Sequence, residues 1–468
     1  MRPPIEPPRP APPGAVPRAR ALVRALAAPV ERFLAVEASS GIVLFAAAAL
    51  ALGLANSPYA DAFASIWLTE IGVSIGAWNL QHDLHWWIND GLMVVFFFVV
   101  GMEIRREMYV GELSELRRAA LPGAAALGGM MSPALIYLAF NQGTAGAAGW
   151  GVPMATDIAF AVGVLALLGD RVPPAMRIFL LSLAVIDDLG AILVIALFYS
   201  DGVSVSALGL AALGLGTIPV LQAFGARNPA LYAPGAIVAW LATYEAGVHP
   251  TIAGVLIGML TPVRAWLGPE ALVETAELTA REVRAALRAG HTSGHAVQVH
   301  LGPLHEAARE AVSPGERLTH ALHTTVAYGI MPLFALANAG VSLGSASLQG
   351  GGVSVFLGVV LGLVVGKFVG VLGLTWLAVR SGLCRLPSAM GWRSVSVIGA
   401  CAGIGFTMAL FVAQLAFPPG PLLEVAKLAV LVASVVAGVL AFVFGRAVLE
   451  PGSVGPVSAA EAEMSTED

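Results

Sequence analysis

What most constrains this chain is the recurrence of apolar runs of about 20 residues, the length an α-helix needs to cross the hydrocarbon core of a bilayer. Such runs lie near 36–56, 88–104, 119–140, 150–168, 176–199, 204–224, 230–246, 248–263, 320–341, 353–379, 393–416 and 422–446. In lipid, the backbone N–H and C=O groups of each run must be satisfied within it, so each run becomes a helix. The runs predict an all-α polytopic membrane protein with about 12 transmembrane helices. Composition agrees: 57% of residues are hydrophobic and only 12% charged, where a soluble domain carries about 25%. A net charge of −5 gives no reason to expect a nucleic-acid partner.

The connections between runs test that count. Arg18, Arg20, Arg24 and Arg32 precede the first run. The second connection carries Arg105, Arg106, Arg117 and Arg118, the fourth Arg171 and Arg177, and the sixth Arg227. The eighth runs from Arg264 to Arg317, and the tenth carries Arg380, Arg385 and Arg393. The odd connections are almost free of positive charge, with Lys427 at the end of the eleventh. Positive charge stays on the cytoplasmic side, so this alternation predicts an even number of spans with both termini cytoplasmic.

The chain divides into a Pro-rich, basic segment 1–33, a membrane domain 34–446 and a C-terminal tail 447–468. The eight prolines between Pro3 and Pro17 rule out a signal peptide and predict an extended tail, and the small, acidic stretch after Pro451 is expected to be disordered. Residues 57–87 alternate weakly in polarity and predict a β-hairpin on the outer face. Within a cytoplasmic insertion at about 265–317, Glu270–Arg288 has the helical spacing of an amphipathic surface helix. The stretch after it, with His291, His295, His300 and His305, reads as a solvated loop rather than a metal site. Cys384 and Cys401 lack metal-ligand spacing and read as inert.

An ionisable side chain at the bilayer centre costs about 2.5–3.5 kcal/mol even on the lenient insertion scale, so those inside the runs mark function. Asp187 and Asp188 sit mid-run between apolar flanks. Neighbours on a helix point about 100° apart, so the two carboxylates meet different partners. Asp157 follows Gly151, Pro153 and Thr156, breakers and a hydroxyl that predict an interrupted helix whose free carbonyls face a cation, with Asp157 also available as an N-cap. Gly403-Ile-Gly405-Phe-Thr407 predicts a second interruption. If the two breaks cross at midplane, like helix ends face each other, and Asp157 offsets the positive ends. Lys367 lies mid-run and needs a buried acid, with Asp187 or Asp188 the nearest in kind. Glu103, Arg106 and Glu107 end the second run, as either interfacial charge or an acidic funnel. His249 begins the eighth run, where a capping role is expected. Carboxylates, a hydroxyl and carbonyls suit small hard cations and protons. When both compete for the same acids and access alternates, the outcome is exchange. No phosphate-binding loop is present, so ATP is not the expected driver.

Ala155-Thr-Asp157-Ile-Ala-Phe-Ala, Ala184-Val-Ile-Asp187-Asp188-Leu-Gly-Ala, Phe334-Ala-Leu-Ala-Asn-Ala-Gly-Val-Ser and Cys401-Ala-Gly-Ile-Gly-Phe-Thr-Met together resemble the bacterial NhaA-type Na+/H+ antiporters, from about residue 34 to 446. The resemblance implies inverted repeats, interrupted helices four and eleven crossing at midplane, and a homodimer joined by the outer β-hairpin in the bacterial inner membrane. It implies no cofactor, with Na+, Li+ and H+ as cargo and electrogenic exchange that moves more protons in than sodium out. By position, Asp188 and Asp187 carry the metal cation and protons, Lys367 partners Asp187, and Asp157 and Thr156 assist at the crossing. Glu103, Arg106, Glu107, His320 and His323 fall in the family's pH-sensing region, although Thr319 stands where an acid is usual. A cation-coupled solute symporter and a cation channel are the alternatives, distinguished by uptake of a labelled organic anion and by sustained current.

Overall fold

A computed structural model describes residues 39–76, 78–200, 202–226, 228–289, 294–344, 351–387 and 390–450. The expectations for segment 1–33, for the tail beyond 450, and for Arg227 and His291 lie outside them. Apolar runs without an internal hydrogen-bond alternative become helices, and the described chain is mostly helical. The order is α1 Ser39–Ala55, α2 Ala60–Trp67, β1 Glu70–Ile75, β2 Trp78–Asp83, α3 Leu84–Tyr109 and α4 Leu116–Asn141, then a 3-10 segment Ala145–Met154. It continues with α5 Ile158–Leu167, α6 Pro174–Phe198, α7 Val205–Ala223, α8 Ala233–Glu245 and α9 Thr251–Leu260. Next come α10 Pro269–Arg288, α11 Gly294–Glu310, α12 Pro314–Thr325 and α13 Met331–Asn338, then α14 Gly352–Arg380, α15 Trp392–Ala402, α16 Phe406–Ala416 and α17 Pro421–Val448.

Among the described residues six helices are long and apolar enough to cross a membrane: α3, α4, α6, α7, α14 and α17. Three bent pairs raise the number to as many as nine: α1 with α2 at 120°, the 3-10 segment with α5 at 48°, and α15 with α16 at 46°. The last two bends fall at the two interruptions expected from Gly, Pro and the G-I-G motif. Runs 230–246 and 248–263 form shorter α-helices than their apolar lengths suggest: Pro229–Tyr232 winds as a 3-10 turn before α8, and Pro250 stands at the N-cap of α9.

Lipid tails offer no hydrophobic drive between helices, so small residues and close backbone approach do the packing. A Cβ on Gly128 of α4 would stand 1.9 Å from the carbonyl oxygen of Gly370 on α14, so these helices touch backbone to backbone. The same holds where α3 meets α9, with Gly258 against the Phe98 carbonyl.

The predicted hairpin is present: β1 and β2 pair antiparallel from Glu70↔Asp83 to Ile75↔Trp78, and Gly76 supplies the φ of 64° that the tight turn requires. Trp87 Nε1 donates to the Ile71 carbonyl at 2.8 Å, and His82 stacks on Trp86 and bonds the Tyr244 hydroxyl at 3.0 Å. These contacts seat the hairpin on α3 and α8.

The amphipathic helix expected at Glu270–Arg288 is α10. The histidine-bearing stretch that follows is not a loop as expected. It is helix α11, which packs on α10, and the amides of Trp266 and Leu267 both bond the Glu310 carbonyl at its end. Pro303 inside that helix obscured its periodicity.

Candidate functional site

The backbone leaves helical geometry at Ala155–Asp157 and again at Gly403–Gly405. The two breaks lie against each other, and the Asp157 amide donates to the Ile404 carbonyl at 2.7 Å. Each break exposes amides that a helix start leaves without a partner. Asp157 serves both starts. Its Oδ1 accepts from the Phe160 amide of α5 at 3.0 Å, and its Oδ2 accepts from the Thr407 amide at 3.1 Å and hydroxyl at 2.5 Å in α16. Ser434 of α17 takes the Phe406 amide at 2.9 Å. Asp157 is therefore an N-cap and a bridge between the breaks at once, placed where two positive helix ends converge.

The neighbouring residue serves the negative end. The Thr156 hydroxyl stands 3.0 Å from the carbonyl of Ala402, the last residue of α15, and 2.6 Å from Asp187 Oδ2. One hydroxyl has one proton, so Thr156 donates to only one of them at a time. It also accepts from Lys367 Nζ at 2.9 Å.

Lys367 follows a π turn, Gly362–Gly366, in α14, and Gly129 of α4 leaves room beside its stem. Its ammonium pairs directly with Asp187 Oδ2, and both side chains are fully buried. The expected pairing of lysine with one acid of the pair is thus resolved in favour of Asp187. Asp188 points elsewhere, as the 100° step requires. It is 1% exposed, and among the described residues no protein group donates to either of its carboxylate oxygens, nor to Asp187 Oδ1. Charges on Asp187, Glu103, Asp157 and Lys367 all act on it.

A cavity of about 530 Å³ opens between the end of α3 and α12, and one of its lining residues, Glu103, is close enough for its charge to act on Asp188. Glu103 and Arg106 of α3 line it with Glu316, Thr319, His320 and His323 of α12. Four of the five residues expected in a pH-responsive region therefore share one space. Glu107 does not line it, and its carboxylate accepts from the Glu112 amide at 3.1 Å, closing the turn after α3.

Other polar groups are placed differently from the sequence reading. His249 is not the cap of α9: Pro250 precedes that helix, and the imidazole bonds the Thr251 hydroxyl at 2.7 Å and Asp90 at 3.2 Å. Lys427, read as the end of a connection, is buried in α17 and paired with Glu424 at 3.6 Å. Thr407, which the sequence marks only as part of the second break, anchors Asp157. A hydroxyl two residues beyond a Gly-x-Gly interruption was the available signal. Among the described residues no three His, Cys, Asp or Glu side chains converge as a metal site. Any cation here would be held by one or two carboxylates with neutral oxygens.

Apolar helices packed through glycine, two touching helix breaks and a buried cluster of three acids and one lysine define a membrane protein of the ion-coupled carrier class. Comparison agrees: residues 31–444 match the family described as Na+/H+ antiporter 1. Similar proteins include Na(+)/H(+) antiporter NhaA 2 of Sorangium cellulosum, 54% identical over 98% of both chains, and its namesake from Myxococcus xanthus, 54% identical over 95% of both. Na(+)/H(+) antiporter NhaA of a Janthinobacterium species is 48% identical over 94% of this chain and 97% of that one. The chain belongs to the Na+/H+ antiporter family.

Proposed function

We propose that this protein exchanges Na+ or Li+ for H+ across the bacterial inner membrane, with both cargoes competing for Asp188 and Asp187. The observation that carries this reading is Asp188: a buried carboxylate with no protein donor among the described residues, beside a second acid already paired with a lysine. An unpaired charge of that kind is too costly to stay buried alone, so it must hold either a proton or a metal cation. That is the competition an exchanger needs.

The geometry supports a division of labour. A cation on Asp188 draws in Asp187, whose Oδ1 has no donor among the described residues. Lys367 then loses its anionic partner and gives up a proton. When a proton replaces the cation on Asp188, Lys367 takes up another and restores its pair with Asp187. One metal cation thus trades against two protons, which makes the exchange electrogenic. Asp157 and Thr156 hold the two breaks around this site, and the Glu103–His320 cavity is its cytoplasmic approach.

The same reading includes twelve spans in inverted repeats, both termini cytoplasmic, and domain limits of 34–446 with the insertion 265–317. It also includes a homodimer joined by the hairpin, and regulation by pH through Glu103, Arg106, Glu107, His320 and His323. The broken pairs 3-10/α5 and α15/α16 are equivalent in form, which supports the repeat. The test is Na+-dependent collapse of a preformed pH gradient in everted vesicles. The expected result is robust exchange in the parent and none in Asp188→Asn, whereas undiminished exchange in that variant overturns the site. Uptake of an organic anion, or sustained current without proton countertransport, overturns the class.

A further inference from the structure

Four glycines of α14 recur at a spacing of four, Gly358, Gly362, Gly366 and Gly370, and each is pressed against a neighbour. A Cβ on Gly358 would stand 2.6 Å from Asn141 Nδ2, one on Gly366 2.8 Å from Pro133 Cα, and one on Gly370 2.0 Å from the Gly128 carbonyl oxygen, all on α4. Gly362 meets α4 as well, with the Pro133 carbonyl oxygen 3.3 Å from where its Cβ would be, but Pro153 of the 3-10 segment comes closer, at 2.7 Å. The glycine row therefore seats both halves of α14 on α4.

A regular α-helix would not seat both halves so. Gly358 and Gly370 are 12 residues apart, which carries an α-helix through about 1200°, or about 120° beyond three full turns. The π turn Gly362–Gly366 makes up the difference. It holds one residue more than an α turn, so it absorbs about 100° and leaves about 20°. Lys367 closes the turn itself, because its amide donates to the Gly362 carbonyl, five residues back instead of four. The direction of Lys367 is thus set by this turn. Wound as an α turn, the same residues would rotate Lys367 by about 100° and move its Cα by about 3.5 Å around the helix. That shift takes the ammonium away from Asp187 and Thr156, which it now touches.

Both helix breaks bear on the turn. Pro153, just before the first break, occupies the space that Gly362 leaves. At the second break, a Cβ on Gly403 would stand 2.6 Å from the Leu363 carbonyl oxygen, and one on Gly405 2.8 Å from Leu363 Cδ2. Leu363 is fully buried. π turns are rare and concentrate at functional sites. We propose that this one is the positioning device for Lys367: clasped by Pro153 from one break and by Gly403 and Gly405 from the other, it aims the ammonium at Asp187 and Thr156. What the ion pair then does in transport rests on the antiport reading, whereas its positioning does not.

The contact is directly readable because the chain has two lysines, and Lys427 pairs with Glu424 rather than with an aspartate. The full-length protein is made by cell-free synthesis with NMR-active nitrogen at lysine Nζ and NMR-active carbon at aspartate Cγ, reconstituted in lipid, and read by magic-angle-spinning NMR. In the parent, the Lys367 signal should lose intensity through dipolar coupling to aspartate carbon, and Lys427→Arg should leave that signal alone in the spectrum. Pro153→Ala removes the wedge and adds no atom, and Gly362→Ala drives a Cβ into it. Both are expected to abolish the coupling at Lys367 and to leave the Lys427 signal in place. Gly101→Ala is the control: its Cβ would stand 2.3 Å from the Val255 carbonyl oxygen, an equally tight contact made between α3 and α9, and the coupling should survive. Coupling retained in Pro153→Ala overturns the proposal, even should Gly362→Ala fail to fold. Coupling lost equally in Gly101→Ala also overturns it, because general loosening would then suffice. No cation gradient enters, so failure here is distinct from failure of the exchange assay.

Discussion

Replacing Lys367 by Met is the sharpest probe of the buried cluster. The substitution keeps the unbranched length and removes the charge, so packing against α4 changes little. Among the described residues Lys367 Nζ supplies one of the two polar contacts to Asp187 Oδ2, the other being Thr156, and Asp187 Oδ1 has none. The variant leaves a carboxylate that is 1% exposed with a single shared hydroxyl for company. Removing one partner of a buried ion pair costs about 3–5 kcal/mol, because the remaining charge is left uncompensated. Pairing Lys367→Met with Asp187→Asn removes both charges, and Asn can still accept from Thr156. The double variant is therefore expected to regain most of that loss, with a coupling energy of about 2–3 kcal/mol in the cycle. The measurement is equilibrium unfolding of the purified protein in detergent for the parent, both single variants and the double. A single variant costing less than about 1 kcal/mol, or a double variant no better than the worse single, refutes the argument that each charge is there to neutralise the other. Recovered stability without recovered exchange is the expected signature of a pair that works as well as holds.

Two further outcomes follow. Asp157→Ala removes the acceptor of two helix starts and should cost about 2 kcal/mol, twice a typical cap, measured by the same unfolding assay, with Asp157→Asn markedly milder. Because each Na+ displaces one proton from Asp188 and one from Lys367, half-saturating Na+ should rise by about a hundredfold for each pH unit lowered where both groups hold their protons, and by about tenfold where only one does, and a pH-independent value in vesicles contradicts competition.

Much of the site was legible before any fold was known, because lipid penalises what water forgives. Asp157, Asp187, Asp188 and Lys367 stood out by being charged where charge is expensive. Gly403, Gly405 and Pro153 announced the breaks because few other residues interrupt a helix in hydrocarbon. Partnership was harder to read. That Asp187 rather than Asp188 takes Lys367 depends on which face of α6 meets α14, a relation set by packing over residues 180 apart. Glu107 and Glu103 differ by one helical turn, and only the course of the chain after Tyr109 decides that one enters the cavity and the other closes a turn. The contacts that tie Asn338 to His85, Asn89 and Gln414 gave little warning. Neutral polar residues near span ends are common, and their meaning lies in the direction of hydrogen bonds between distant segments. Helix α11 was missed for the opposite reason: outside the membrane, charge and histidine carry no penalty, and one proline was enough to disguise the period.

Asp157 is a single carboxylate held by two helices that belong to different parts of the chain. Its two oxygens behave like the two ends of a rivet, one in α5 and one in α16. Neither helix can slide or tilt on its own without tearing an amide from its acceptor in a dry interior. The two broken segments must therefore travel as one rigid piece, and the surrounding helices must slip past them. The rivet determines which part of this molecule counts as moving and which as stationary.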